Sequence, residues 1–307
     1  MTRPSKAANR TRRLHGHRPR ITPELIADLA HQLTERDRTI LELVWEHRVL
    51  TTDQITAIFF PGPVRARQRL RQLRALLALV RFQPWTPVGS APQHWVLGPA
   101  GAHVLAAQRG IGLRDLGYRQ DNAMAISLSP RLGHQVGVND FFARLHACAR
   151  HRADGTVLAE WWPERRCASL WGDLARPDAF GRWVESQEAG PPAAVDFFLE
   201  HDTGSEPLSR VAAKLAGYAA LAESTGITTP VLFWLPSAAR EANLRKVLGT
   251  PDVPVATAVH TPRTAADGPA GPVWLPVGTT GPRRRLAALA DAWGPHDRRR
   301  GTGPGTA

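Results

Sequence analysis

VRARQRLRQLRALLALVR, residues 64–81, decides the fold of the first part of this chain. At 100° per residue, Ala66, Leu70, Leu73, Leu77 and Val80 fall on one arc that can dock on neighbouring helices. Arg67, Arg71 and Arg74 lie on roughly the opposite side, and Arg65 and Arg69 on a flank. Six arginines with no acid in these 18 residues cannot neutralise one another. Such a face either attracts phosphate or remains a self-repelling solvated surface.

Working outward, Thr34 followed three residues later by Asp37 forms a variant capping box. The helix it opens has Ile40, Val44 and His47 on one face, with Leu43 beside them. Thr52, ahead of Asp53, Gln54 and Ile55, starts a short helix that must stop before Pro61. Downstream of the arginine segment, LVRFQPW (79–85), a Pro/Gly-rich loop and QHWVLG (93–98) predict a hairpin. PAGAHVLAAQRG (99–110) then predicts a proline-started helix. Three helices, a hairpin and a closing helix over residues 33–110 resemble the winged helix-turn-helix family. WVLGPAGAHVL (95–105) is similar to the wing-to-last-helix passage of many bacterial regulators of that fold. The resemblance implies double-stranded DNA as a partner, with Arg65, Arg67, Arg69, Arg71 and Arg74 on the recognition helix. Arginines on phosphates position a protein without specifying a sequence.

Residues 111–130 are Gly- and polar-rich and read as a linker; the pattern then changes. LGHQVGVNDFFARLHACARHR (132–152) is a helix with Val136, Leu145 and the Phe141/Phe142 pair available for burial. TVLAEWW (156–162), RPDAFGRWV (176–184) and AVDFFLEHD (194–202) are three strands. Glu206-Pro207 opens a helix to about Ser224, and TPVLFWLP (229–236) is apolar enough for a buried strand. On the third strand, alternation sends Glu200 and Asp202 to one face and Phe197 and Leu199 to the other. Asp178 begins the second strand, and Arg210, Lys214 and Tyr218 form a polar stripe on the following helix. Converging carboxylates of this kind are what Mg²⁺-dependent phosphodiester hydrolysis needs.

The order αβββαβ with these acids resembles the core of the PD-(D/E)xK nuclease superfamily, a restriction-endonuclease-like fold. That pattern wants a lysine two residues after the last acid, where this chain has Asp202; Lys214 would instead enter from the helix. RPDA, FFLEHDTGSE and K-x-x-x-Y behind a winged helix look like the actinobacterial replication-relaxation family, over approximately residues 33–248. The resemblance implies a role in plasmid or conjugative-element replication and DNA relaxation. It also implies a site of Asp178, Glu200, Asp202, Lys214 and Tyr218, with the three acids holding Mg²⁺. His134, Asn139 and Glu160 are further candidates for the same cleft. The plainer alternatives are a turn initiated by Asp202 ahead of Thr203-Gly204, a surface Lys214 and a Tyr218 at the core edge.

The whole is thus expected to be an α+β or α/β two-domain chain of 307 residues, long enough for two domains. A basic arm predicted to be disordered (1–20) precedes the first domain, the nuclease-like domain spans 131–280, and a basic tail covers 281–307. With 39 Lys+Arg against 27 Asp+Glu, the net charge is +12, which points to a polyanionic partner. Apolar residues make up 43% of the chain, enough for real cores, and two cysteines are too few for a disulfide scaffold or a four-cysteine zinc site. No apolar run is long enough to span a membrane, and the N-terminus lacks a signal-peptide core, so a cytoplasmic protein with no membrane partner is expected. His31, His47, His94 and His103 lack zinc-ligand spacing. There is no phosphate-binding G-x-x-x-x-G-K-[ST] loop for an ATPase. Nor is there the paired-histidine motif with nearby tyrosine of a rolling-circle relaxase. Three functions remain open: a Mg²⁺-dependent DNA nuclease; a non-catalytic DNA-binding accessory that dimerises or docks a relaxase or replication initiator; and a transcription regulator.

Overall fold

The computed structural model describes residues 21–260, 265, 267–279 and 281–293. The arm expected over 1–20 and the last part of the expected tail, 294–307, lie outside the described residues. The first helix, α1 (Pro23–Gln32), precedes the region that the sequence marked as compact. Thr34 starts α2 (Glu35–Glu46) with the expected reciprocal box, its own N–H donating to the Asp37 carboxylate at 2.9 Å. After the short β1 (Leu50–Thr51) comes α3 (Thr52–Phe59), capped by Thr51 rather than Thr52. Only Thr51 stands three residues before Gln54, whose side-chain oxygen accepts from the Thr51 N–H at 2.9 Å.

The arginine helix α4 (Pro63–Ala75) has proline in its first turn and buries Ala66, Leu70 and Leu73. It is shorter than the apolar arc suggests. Leu77 turns left-handed at φ 57°, and Leu79–Phe82 becomes β2, which takes Leu77 and Val80 out of the helical face. With β3 (His94–Leu97) these strands form an antiparallel sheet of order β1-β3-β2. Helix α5 (Pro99–Gln108) then packs so closely that a Cβ at Gly101 would stand 2.2 Å from the Ala78 carbonyl oxygen. The stretch read as a linker carries α6 (Leu113–Leu116), α7 (Gln120–Ala125) and a 3₁₀ turn, Ile126–Leu128. Ile126 is buried with Val49 and Val96, so the small sheet is covered from behind.

The second unit begins with the long α8 (Leu132–Arg152), followed by β4 (Val157–Pro163). An unanticipated helix, α9 (Glu164–Trp171), separates β4 from β5 (Ala179–Glu185), so the order departs from αβββαβ by one insertion. Then come β6 (Ala193–His201), α10 (Leu208–Thr225), β7 (Val231–Leu235), α11 (Ala238–Leu248), β8 (Val255–Val259) and β9 (Leu275–Pro276). They make one mixed sheet, order β4-β5-β6-β7-β8-β9, in which β6-β7 and β7-β8 are parallel. Strand alternation divides the apolar residues of β6 between two cores: Phe197 and Leu199 face the α8 side, while Phe198 packs with Val211, Leu215 and Tyr218 of α10.

The α8-side core runs without a break into the core of the first unit. Asn139 of α8, fully buried, donates to the Val49 carbonyl at 2.6 Å and the His47 carbonyl at 3.3 Å. Gln54 of α3 donates back to the Val136 carbonyl at 2.8 Å, and Arg150 donates to the Phe60 carbonyl at 2.6 Å. His47 stacks on Trp161 with ring centroids 3.6 Å apart. The start of the expected basic tail is likewise part of the body. Leu286 and Leu289 are fully buried, Arg283 pairs with Glu241, and Arg285 reaches Asp267 at 2.7 Å and Glu185 at 3.2 Å. Arginine count suggested a tail, but the leucines that follow those arginines anchor it. Among the described residues no helix is long and apolar enough to cross a membrane.

Asn139→Ala strips the Val49 carbonyl of its side-chain donor, leaves the His47 carbonyl with the Val49 N–H alone, and should cost about 1–3 kcal/mol. Urea unfolding should retain a single transition at a lower midpoint; separate transitions for the two units would contradict the shared core.

Candidate functional site

At the end of β6 the chain turns away from the sheet beneath the start of α8, leaving a cleft of about 530 Å³. Arg131, His134, Asp178, Glu200, Asp202 and Lys214 are among its lining residues. This is the carboxyl end of a strand that begins the parallel part of the sheet, the position where open α/β sheets commonly hold ligands. Gly137 allows the close approach of α8, because a Cβ there would stand 2.1 Å from His201 Nε2.

Four of the five expected site residues converge. Lys214 Nζ donates to Glu200 Oε2 at 2.6 Å, and the Tyr218 hydroxyl donates to Glu200 Oε1 at 2.5 Å. Their four-residue spacing on α10 brings both to one carboxylate. Asp178 Oδ2 accepts the His201 backbone N–H at 2.8 Å, while His134 Nε2 lies 2.9 Å from Oδ1. Burial, reinforced by the Asp178 charge, raises the Glu200 pKa to about 7 against the opposing pull of Lys214 and Tyr218. Burial would raise Asp178 as well, but His134, Lys214 and the His201 N–H outweigh it and hold the carboxyl below its ordinary value. Burial disfavours charge on His134 and Lys214, yet the neighbouring carboxylates raise both pKa values. Tyr218 is driven well above its ordinary range, first by burial and then by Glu200.

Asp202 takes a different part. It leaves the strand in a turn, accepting from the Gly204 N–H at 2.7 Å, and Arg240 of α11 clamps both carboxylate oxygens. Sequence alternation put Asp202 with Glu200 but had no signal for Arg240, 38 positions away. His134 joins the cleft as expected. Asn139 belongs to the joint between the units, and Glu160 accepts from Trp162 Nε1 at 2.7 Å outside the cleft. A Mg²⁺ ion needs carboxylate oxygens free to converge on one point. Here Asp178 Oδ2 and both oxygens of Glu200 and of Asp202 accept from protein donors, and His134 Nε2 lies 2.9 Å from Asp178 Oδ1. Among the described residues no group of three or more His, Cys, Asp or Glu is arranged to hold a metal. Mg²⁺ held by these three acids would have to take the place of those donors.

The other candidate surface is α4. Arg65, Arg67, Arg71 and Arg74 are exposed, opposite the buried Ala66, Leu70 and Leu73. Arg69, grouped with them in the sequence, is diverted into an ion pair with fully buried Asp37 at 2.6 Å and also donates to the Gln32 carbonyl. Among the described residues it is the only one of the five in an ion pair. Arg67 also lines a groove of about 350 Å³ with Thr52, Asp53 and the base of the β2–β3 loop.

The replication-relaxation family model matches residues 41–232, taking in α4, the joint, and the Asp178, Glu200, Lys214 and Tyr218 cluster. The chain belongs to the replication-relaxation family. No curated protein and no solved structure matches it. The family match spans both units without interruption, in keeping with their shared core.

Folded Glu200 keeps its proton to about pH 7, against an ordinary value of 4.5. The folded chain therefore binds more protons in that window, so this group's contribution to stability is full below 4.5 and is lost as pH rises through about 7. Asp178, held below 3.8, does not titrate there, and His134, raised above 6.5, remains in both proteins of the comparison. The unfolding free energy of the wild type should thus fall relative to that of Glu200→Gln across the window. A flat difference would contradict the site as described.

Proposed function

We propose that this replication-relaxation protein is a DNA-binding accessory in plasmid or mobile-element replication or relaxation. In this reading the first unit is a winged helix, α4 enters the major groove and the β2–β3 hairpin is the wing. One observation carries it: four exposed arginines share the outer face of a helix whose inner face is locked into the core. Their setting reinforces it, since residues 54–114 contain no acidic side chain. The arginines bind backbone phosphates and release counterions. The second unit, with a restriction-endonuclease-like order of elements, holds the first through the common core and offers a body for dimerisation or for docking a relaxase or replication initiator. The protein donors on Asp178, Glu200 and Asp202 support a structural charge network at the cleft.

A second reading, phosphodiester cleavage at the cleft, is favoured by the convergence of Asp178, Glu200 and Lys214. Supercoiled plasmid incubated with the protein and Mg²⁺ separates the two. The accessory reading expects no nicking. Metal-dependent nicking lost in both Asp178→Ala and Lys214→Ala would establish the second reading instead.

DNA affinity should fall steeply with salt. Arg67→Ala/Arg71→Ala should flatten the log–log salt slope by about 2, at roughly 0.9 per phosphate contact. Arg69→Ala should instead lower stability by leaving buried Asp37 without its cation. An unchanged slope in the double variant, measured by fluorescence anisotropy, would remove α4 from the interface.

A further inference from the structure

The loop joining β2 to β3 presents two large apolar side chains to solvent, Trp85 at 84% and Val88 at 87% exposure. Trp85 sits in the run Pro84-Trp85-Thr86-Pro87, so both flanks are restricted by proline. The loop is also tied down from inside. Gln83 Nε2 donates across it to Ser90 Oγ at 2.7 Å and the Ala91 carbonyl at 2.6 Å, and Thr86 Oγ1 donates to the Val88 carbonyl at 2.9 Å. Gly89, at φ 71°, makes the return turn. A loop tied in this way has less backbone entropy to lose when its exposed indole meets a partner.

Its neighbours indicate the contact. Ser90, Pro92 and Gln93 at the base of the loop share a groove with Arg67 of α4. The strand leading into the loop carries exposed Arg81. Asp53 in the groove wall is the last acid in sequence before Asp115. An exposed aromatic on a loop whose base adjoins a cationic helix suits a partner with both phosphates and flat apolar faces, which nucleic acid supplies as its backbone and its bases.

We propose that Trp85, backed by Val88, is an aromatic wedge that stacks against a base step of the duplex held by α4, partly unstacking it. The proposal rests on the DNA-binding reading above and adds the residue that deforms the DNA. Apolar side chains inserted between base steps open them locally, and the protein's other contacts offset the cost. A wedge of this kind would give a protein without an ATP-binding loop a means of loosening a duplex by binding alone.

The test uses the full chain and a mixed-sequence duplex with 2-aminopurine placed at successive positions. Binding is read by anisotropy and base unstacking by 2-aminopurine emission. The wild type should bind with a steep salt dependence and raise the emission several-fold. Trp85→Ala should abolish that rise and weaken binding roughly 10-fold, with the salt slope unchanged because no phosphate contact is lost. Trp85→Phe should keep the rise and stay within about threefold of wild-type affinity. Because Trp85 is exposed, Trp85→Ala should unfold at the wild-type urea midpoint, which excludes misfolding as the cause. Salt-dependent wild-type binding with no emission change, and with equal affinity in Trp85→Ala, overturns the wedge and leaves the DNA-binding reading standing. That result, together with lost capture of a relaxase by Trp85→Ala, would assign the tip to a protein partner. Failure of the wild type to bind the duplex overturns both readings.

Discussion

Everything in this protein depends on the seam where α8 meets the first unit. The carbonyls of His47 and Val49 lie where α2 ends and β1 begins, and that of His47 also accepts the Val49 N–H at 2.8 Å. Asn139 satisfies both from within the core. Because that asparagine is buried, removing it while the seam stays closed leaves the Val49 carbonyl without a donor and away from water. Gln54 and Arg150 repeat the device in the two directions, and the His47–Trp161 stack fills the space between. The result is a helix bundle and a mixed sheet that share one apolar interior, with α4 on its outer surface.

The charges are organised by the same distinction between inside and outside. Buried acids are matched: Asp37 by Arg69, Glu200 by Lys214, Asp202 by Arg240 and Glu241 by Arg283. Removing one member of such a pair costs more than the pair itself contributes, because the other is left buried and uncompensated. On α4 the pattern is reversed, since four arginines remain exposed while the fifth is used internally. The net charge of +12 is therefore a poor guide to where cations stand exposed, which is decided by the pairs that the fold makes.

The local features were readable in the sequence. Capping at Thr34, the buried face of α4, the all-buried β7 and the placing of Lys214 and Tyr218 on one stripe of α10 all follow from spacings of one to four residues or from apolar runs, whereas their meeting with Glu200, 14 and 18 positions away, does not. What escaped the reading depends on distant partners. Arg240 meets Asp202 across 38 positions and Asn139 meets Val49 across 90, and no periodicity encodes either contact. Arg283 and Arg285 looked like tail residues because composition cannot reveal that Glu241 and Glu185 await them. Helix α9 was missed because its charged start, Glu164-Arg165-Arg166, resembles a loop until Cys167 is seen to be buried.

The central claim is that DNA lies on the first unit, along α4 and the hairpin. Amide hydrogen exchange of the whole chain with and without a duplex tests it most directly. The account predicts added protection over residues 63–97, with β7 unchanged. Protection concentrated over residues 200–214, with 63–97 unaffected, would contradict it and move the DNA to the cleft.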